Sequence, residues 1–160
     1  SPVPVAAALG GHAPAGGCVL ALCCDYRVMA EGPYRLGLNE TQVGLVAPEG
    51  VQWLMRRVVG LHRAERLLVA GEMLESAQAH AIGLVDELTD IDNVATRARV
   101  WLEGLVALPR EPMLRTRAIS RADVVAAMQP ERLQLASFVD AWSAPDTQAG
   151  LKALIARLGK

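Results

Sequence analysis

No apolar run in this sequence of 160 residues reaches the ~18–20 residues that would span a bilayer, so nothing in it reads as a transmembrane helix. Net charge is lacking too. Its 16 Lys and Arg face 17 Asp and Glu, which leaves −1. That balance removes the general electrostatic case for nucleic acid or an anionic membrane as partner. Lysine occurs only at 152 and 160, so positive charge is almost all arginine. With the Ala and Val content, this usage is associated with a GC-rich bacterial genome. Cysteine is scarce and clustered, at Cys18, Cys23 and Cys24. An odd, crowded set makes a poor disulfide framework and lacks zinc-site spacing. The three read as small buried apolar side chains in a reducing compartment. Repeats, low-complexity stretches and linkers are also missing, as is a recognisable signal peptide. The chain opens directly on the strand-like Ser1-Pro2-Val3-Pro4-Val5, so an upstream part is expected to be absent.

What is present suits one domain. Apolar residues make up 52% of the chain, and a core of this size buries about 70% of the unfolded surface. Residues 3–9 and 25–30 predict strands, with a turn at Glu31-Gly32-Pro33 and a short extended piece over 34–37. Ala47-Pro48-Glu49 opens a helix, with proline near its first position and an acid in its first turn. Trp53, Leu54, Val58 and Val59 form its apolar stripe, and Gly60 ends it. A helix over 62–70 follows, with Ala64, Leu67 and Leu68 inward. Ser76 caps a short helix that Gly83 ends, and residues 84–88 read as a last strand. From Ile91 on, helices are predicted over 91–105, 113–120, 123–128, 130–142 and 146–158. Pro109 and Pro112 punctuate them. The chain thus divides into an α/β part, residues 1–90, and an all-helical part, residues 91–160.

Residues 10–44 organise the rest. A loop rich in Gly, Ala and Pro ends at Gly16-Gly17, and the unbroken apolar run Cys18–Cys24 follows. Apolar all round, that run predicts a short buried helix. Glycines at its start let a ligand approach the backbone. The first amides of a helix lack intrahelical partners and carry the positive end of its dipole. The amide of Gly16 or Gly17 is therefore a ready donor to a developing oxyanion. Alone, the pattern most often means only close packing.

Three segments add to it: Ala-Pro-Ala-Gly-Gly-Cys (13–18), Cys-Asp-Tyr-Arg (24–27) and Leu-Gly-Leu-Asn-Glu-Thr-Gln-Val-Gly-Leu (36–45). Together they resemble the crotonase (enoyl-CoA hydratase/isomerase) superfamily, and within it the mitochondrial-type Δ3,Δ2-enoyl-CoA isomerases most closely. The resemblance implies an α/β crotonase (ClpP-like) spiral β-β-α fold with a C-terminal all-helical trimerisation region that also covers the active site. It implies a homotrimer or dimer of trimers acting on acyl-CoA, with coenzyme A arriving as part of the substrate and no metal or redox cofactor. The implied reaction moves a fatty enoyl-CoA double bond from C3–C4 to C2–C3 in fatty-acid β-oxidation. The setting is the bacterial cytoplasm or, alternatively, the mitochondrial matrix.

The resemblance also implies roles. Glu40 is the catalytic base and Gly16 supplies one oxyanion amide, with Ala15 and Gly17 beside it. A thioester acidifies C2 only if fixed donors stabilise the enolate oxygen, and one poorly solvated carboxylate can carry the proton from C2 to C4. Hydratases of the superfamily hold a second glutamate three positions after the oxyanion glycine. This sequence has Val19 there, which cannot hydrogen-bond a water. Glu49 is a candidate second acid or simply a first-turn acid favouring the helix dipole. His12 reads as a pocket wall, and His62 and His80 as surface helix residues. In the resembled enzymes a second oxyanion amide comes from an upstream segment not among these 160 residues, so the chain alone is expected to be nearly inactive. Two other readings stay open: a hydratase-like lyase or thioesterase of the same superfamily, and a non-catalytic scaffold with this fold.

Overall fold

The computed structural model describes residues 1–157 and residue 159. Each spiral turn lays one strand in each of two small sheets and returns through helix. In the first sheet β1 (Ala6–Leu9) pairs in parallel with β3 (Tyr26–Ala30), from Ala6 beside Tyr26 to Leu9 beside Met29. β3 pairs in parallel with β6 (Glu87–Thr89) on its other side. The second sheet contains β2 (Ala13–Pro14), β4 (Arg35–Gly37) and β5 (Leu74–Glu75), in the order β2-β4-β5. Helix α1 (Gly16–Cys23) carries the chain from β2 back to β3. This is the crotonase spiral expected from the sequence. β2 and β5 had no counterpart in that reading, because two residues of strand are defined by pairing and leave no periodic trace.

Helix α1, apolar all round, is buried on one face only, which corrects the expectation of a wholly buried helix. Cys18, Ala21 and Leu22 are buried, whereas Leu20 is 71% exposed. Of the cysteines only Cys18 is buried; Cys23 is exposed and Cys24 intermediate, which corrects the expectation of three buried thiols. Helix α2 (Glu49–Val59) buries Val51, Leu54, Met55 and Val59, while Trp53 and Val58 sit at the margin of the stripe. Helix α3 (Leu61–Ala70) buries Ala64, Leu67 and Leu68 as read from the sequence. It stops where Gly71 takes a left-handed conformation, φ 61°. Ser76 does not cap α4 (Ser76–Ala81). Its hydroxyl donates to the Gly32 carbonyl, and Glu75 holds the cap position, where its amide meets the Gln78 side chain. Leu84 and Val85 are buried in the turn before β6, so the last strand starts later than expected.

All six strands among the described residues lie within residues 6–89, and every described element beyond them is helical. Helix α5 (Val94–Val106) buries Val94 and Ala98 against β1 and β3. Helix α6 (Arg110–Ser120) begins before Pro112, which its first turn tolerates because an amide there has no helical acceptor. Helix α7 spans Ala122–Ala127. The single helix expected over 130–142 is two, α8 (Pro130–Leu133) and α9 (Leu135–Ser143), split by Gln134 in a left-handed conformation, φ 49°. Helix α10 runs Pro145–Arg157; the expected end at Leu158 lies outside the described residues.

One carboxylate fastens the helical part to the sheets. Asp25, between α1 and β3, accepts the Val5 amide at 2.8 Å, Arg117 Nε and Nη2 at 2.9 Å each, and Arg121 Nη1 at 2.9 Å. Burial works to raise this carboxyl. The Arg117 hydrogen bond, the Val5 amide and the charges of both arginines outweigh it and hold Asp25 below the usual carboxylate range. Arg121 also donates to the Cys23 carbonyl at the end of α1.

Candidate active site

Parallel pairing brings the two halves of the site together. Ala13 lies beside Leu36 and Pro14 beside Gly37, so β2 and β4 end at the same edge. Ala15, just past β2, donates its N–H to the Gly37 carbonyl at 2.9 Å. Gly16 then opens α1. Three residues past β4, Glu40 opens a 3-10 turn, Glu40–Val43. Twenty-four positions apart in sequence, the two are delivered by neighbouring strands. Gly37, at the end of β4, lets the chain before β5 pack onto this edge: a Cβ there would lie 2.4 Å from the Glu72 carbonyl oxygen.

The amides of Gly16 and Gly17 sit in the first turn of α1, where the helix offers them no acceptor. Gly16 is exposed, and a Cβ built on it would meet no atom within 4 Å. The space on the side-chain side of Gly16 is open. Ala15 has φ 46° and ψ −114°, close to the first central residue of a type II′ turn, a place usually held by glycine. Such a conformation costs a non-glycine residue on the order of 1–3 kcal/mol.

Glu40 is half-buried. Its Oε2 is buried with no hydrogen-bond partner among the described residues. Burial raises its carboxyl above the ordinary value, only partly countered by a hydrogen bond from its own amide. Cys18, in the first turn of α1, is close enough to feel its charge. Burial first, and then the Glu40 charge, push its thiol up to about 12 against the pull of Arg27. Cys18 is thus a protonated, buried apolar side chain and not a nucleophile.

The turn bearing Glu40 is pinned from two sides. Gln42 donates to the Gly71 carbonyl at 2.8 Å at the end of α3. From the helical tail, Thr147 in α10 donates its hydroxyl to the Gly44 carbonyl at 3.2 Å. Gly150 comes so near that a Cβ there would lie 3.3 Å from the Val43 backbone. Leu45 closes the turn by donating to the Glu40 carbonyl at 3.0 Å. Beyond it, Val46, Ala47, Glu49, Leu133, Phe138 and Ala141 line a cavity of about 310 Å³.

The other candidates stand apart from this chemistry. Glu49 is ion-paired with Arg132 of α8, and this hydrogen bond lowers its carboxyl. It joins α2 to the tail. His12 Nδ1 accepts the Arg35 amide at 3.1 Å, which steadies the start of β4. His62 and His80 are exposed on helices. Val19, three positions after Gly16, is half-buried and packs against the core. No group of three His, Cys, Asp or Glu side chains among the described residues is placed to hold a metal ion. Sequence reasoning missed the Asp25–Arg117–Arg121 cluster and the strained backbone of Ala15. An acid at the end of an apolar run was the only visible sign of the first, and the second left none.

The chain matches the enoyl-CoA hydratase/isomerase family over residues 1–157. It is 45% identical over 103 residues to enoyl-CoA delta isomerase 1, mitochondrial, of Mus musculus, a match covering 64% of the chain and 36% of that protein. To the Homo sapiens protein of the same name it is 33% identical over 153 residues, covering 94% of the chain and 51% of the relative. The crystal structure of human mitochondrial delta3-delta2-enoyl-CoA isomerase superposes with a TM-score of 0.89 at 32% identity, over 99% of this chain and 62% of that one. The chain therefore spans about half or less of the length of these two relatives.

Proposed function

The chain belongs to the enoyl-CoA hydratase/isomerase family, and from that premise we propose that it carries the base and one oxyanion donor of a Δ3,Δ2-enoyl-CoA isomerase. The substrate is a fatty 3-enoyl-CoA of β-oxidation. Its thioester oxygen lies at the Gly16 N–H, with Gly17 and the backbone of Ala15 alongside. The Glu40 carboxylate takes a proton from C2, and the C–H electron pair becomes an enolate whose oxygen charge meets the Gly16 amide. The protonated Glu40 then delivers that proton to C4. The double bond settles between C2 and C3, and the thioester carbonyl re-forms. No electron leaves, no water enters, and the chemistry calls on no metal or redox group.

One observation carries this reading: Glu40 Oε2 is buried and unpartnered, on the turn that follows β4 at the edge where β2 leads into α1. A carboxylate kept from water and from other donors is held as a base, with its proton affinity shifted toward working pH. Val19 favours isomerisation over hydration, since an apolar side chain at that position cannot orient water. The cavity past Val46 offers apolar room for an acyl chain. Leu135, Val139 and Trp142, exposed on α9, suit a homotrimer or dimer of trimers. A mitochondrial matrix setting would fit the names of the two mammalian relatives, and a bacterial cytoplasm the arginine-rich usage.

Glu40→Gln tests the reading. It keeps shape and removes basicity. In the full-length protein that carries this chain, isomerisation of 3-enoyl-CoA should fall about 10²–10⁴-fold with ligand affinity nearly unchanged. Turnover within about threefold of the parent would refute the assignment. Hydration of 2-enoyl-CoA faster than isomerisation of 3-enoyl-CoA would favour the hydratase-like alternative.

A further inference from the structure

We infer that Ala15, through its strained positive-φ backbone, is the positioning residue that sets the angle at which α1 leaves the sheet and so aims the Gly16 amide. The inference rests on the oxyanion role proposed for Gly16. Two hydrogen bonds meet at Ala15. Its N–H donates to the Gly37 carbonyl at 2.9 Å, which extends the β2–β4 pairing by one step. Its carbonyl accepts the Val19 N–H at 2.9 Å, the first bond of the α1 ladder. One residue thus ends a strand and begins a helix with no linker between. It does so at φ 46°, ψ −114°. Helix-capping residues ordinarily sit in the β region.

With φ reversed, the two bonds compete. Either the N–H stays on Gly37 and the first turn of α1 swings away, or the helix holds and the strand pairing is lost. In both cases the Gly16 N–H no longer shares the edge from which β4 delivers Glu40. Neighbouring structure is rigid enough to hold the strain. Cys18, Ala21 and Leu22 anchor α1 in the core, and Leu36 and Leu38 anchor β4 and the loop after it. A glycine would hold this turn at no steric cost. Alanine by itself favours negative φ, so here the surrounding structure has to hold the turn.

The test is a series at position 15 in the full-length protein. Ala15→Gly removes the strain, and the melting temperature should rise by about 2–4 °C. Ala15→Val places a β-branched residue at a φ it hardly adopts. The protein should remain folded by circular dichroism, and kcat should fall about 10²–10³-fold, the cost of one oxyanion donor, while KM moves less than threefold. A folded valine variant with parental kcat would overturn the positioning role. A glycine variant with an unchanged or lower melting temperature would overturn the strain. A large rise in KM with kcat preserved would mean that the side chain merely obstructs substrate, and would overturn it as well. The melting arm needs no turnover, so it separates failure of this inference from failure of the isomerase reading, which Glu40→Gln addresses by itself.

Discussion

Replacing Asp25 with asparagine should loosen the helical part of the chain without touching the candidate site. Asparagine keeps an oxygen for the Val5 amide but removes the charge that faces two guanidinium groups. The side chains of Asp25, Arg117 and Arg121 are 13%, 15% and 11% exposed. Breaking a buried pair by removing one partner costs about 3–5 kcal/mol, and with this residual exposure and a retained acceptor we expect about 3 kcal/mol. For a chain of this length that lowers the melting temperature by roughly 6–12 °C. The pH dependence sharpens the test. Asp25 is held below its ordinary value when folded, so its contribution is present in full above the unfolded value, about 3.9. It is lost as pH falls through the folded value. Thermal unfolding of parent and Asp25→Asn, followed by circular dichroism, should therefore differ widely at pH 7 and converge well below pH 4. A difference under 2 °C at pH 7, or one that persists undiminished in acid, would refute the argument.

Three further outcomes are expected. Gly16→Val should fold normally, because a Cβ there meets nothing, yet lower turnover about 10²–10³-fold by holding the thioester off its donor; a parental rate would place the oxyanion site elsewhere. The acid limb of the kcat/KM profile should lie above the ordinary glutamate value of about 4.3, because burial raises Glu40 and activity needs its ionised form; an acid limb at or below that value would contradict the burial argument. Gly37→Ala should destabilise the fold and impair turnover together, since its methyl would press to 2.4 Å from the Glu72 carbonyl oxygen; unchanged melting would show that this junction can give.

Much of the α/β part was legible because its signals are local. The run after Gly17 marked α1, residues 3–9 and 25–30 read as the strands β1 and β3, and Gly60 marked the end of α2. What escaped depends on distant partners. β2 and β5 exist only by pairing with β4. Asp25 meets Arg117 across 92 positions, and no local pattern announces such a pair. Gln134 breaks a helix that composition favours throughout. Val51 and Met55 displaced Trp53 from the buried stripe because the packing of α1 and α7, not hydropathy alone, fixes the inward face. At the site, the motif resemblance singled out Gly16 and Glu40. Only the structure shows that Glu49 is tied to Arg132 and that Ala15 bears strain.

The clamp on the Glu40 turn carries a consequence for anyone cutting or randomising this chain. Thr147 and Gly150 lie more than a hundred positions from the base, in a helix that a designer trimming toward a minimal enzyme would discard first. Yet they rest on Gly44 and Val43, and Val43 is buried partly under them. Ending the chain at residue 144 would leave every proposed site residue in place and bare the back of the turn that holds the base. Sequence libraries should accordingly spare positions 147 and 150 together with 40. They should spend their diversity instead on the outward side chains of α5.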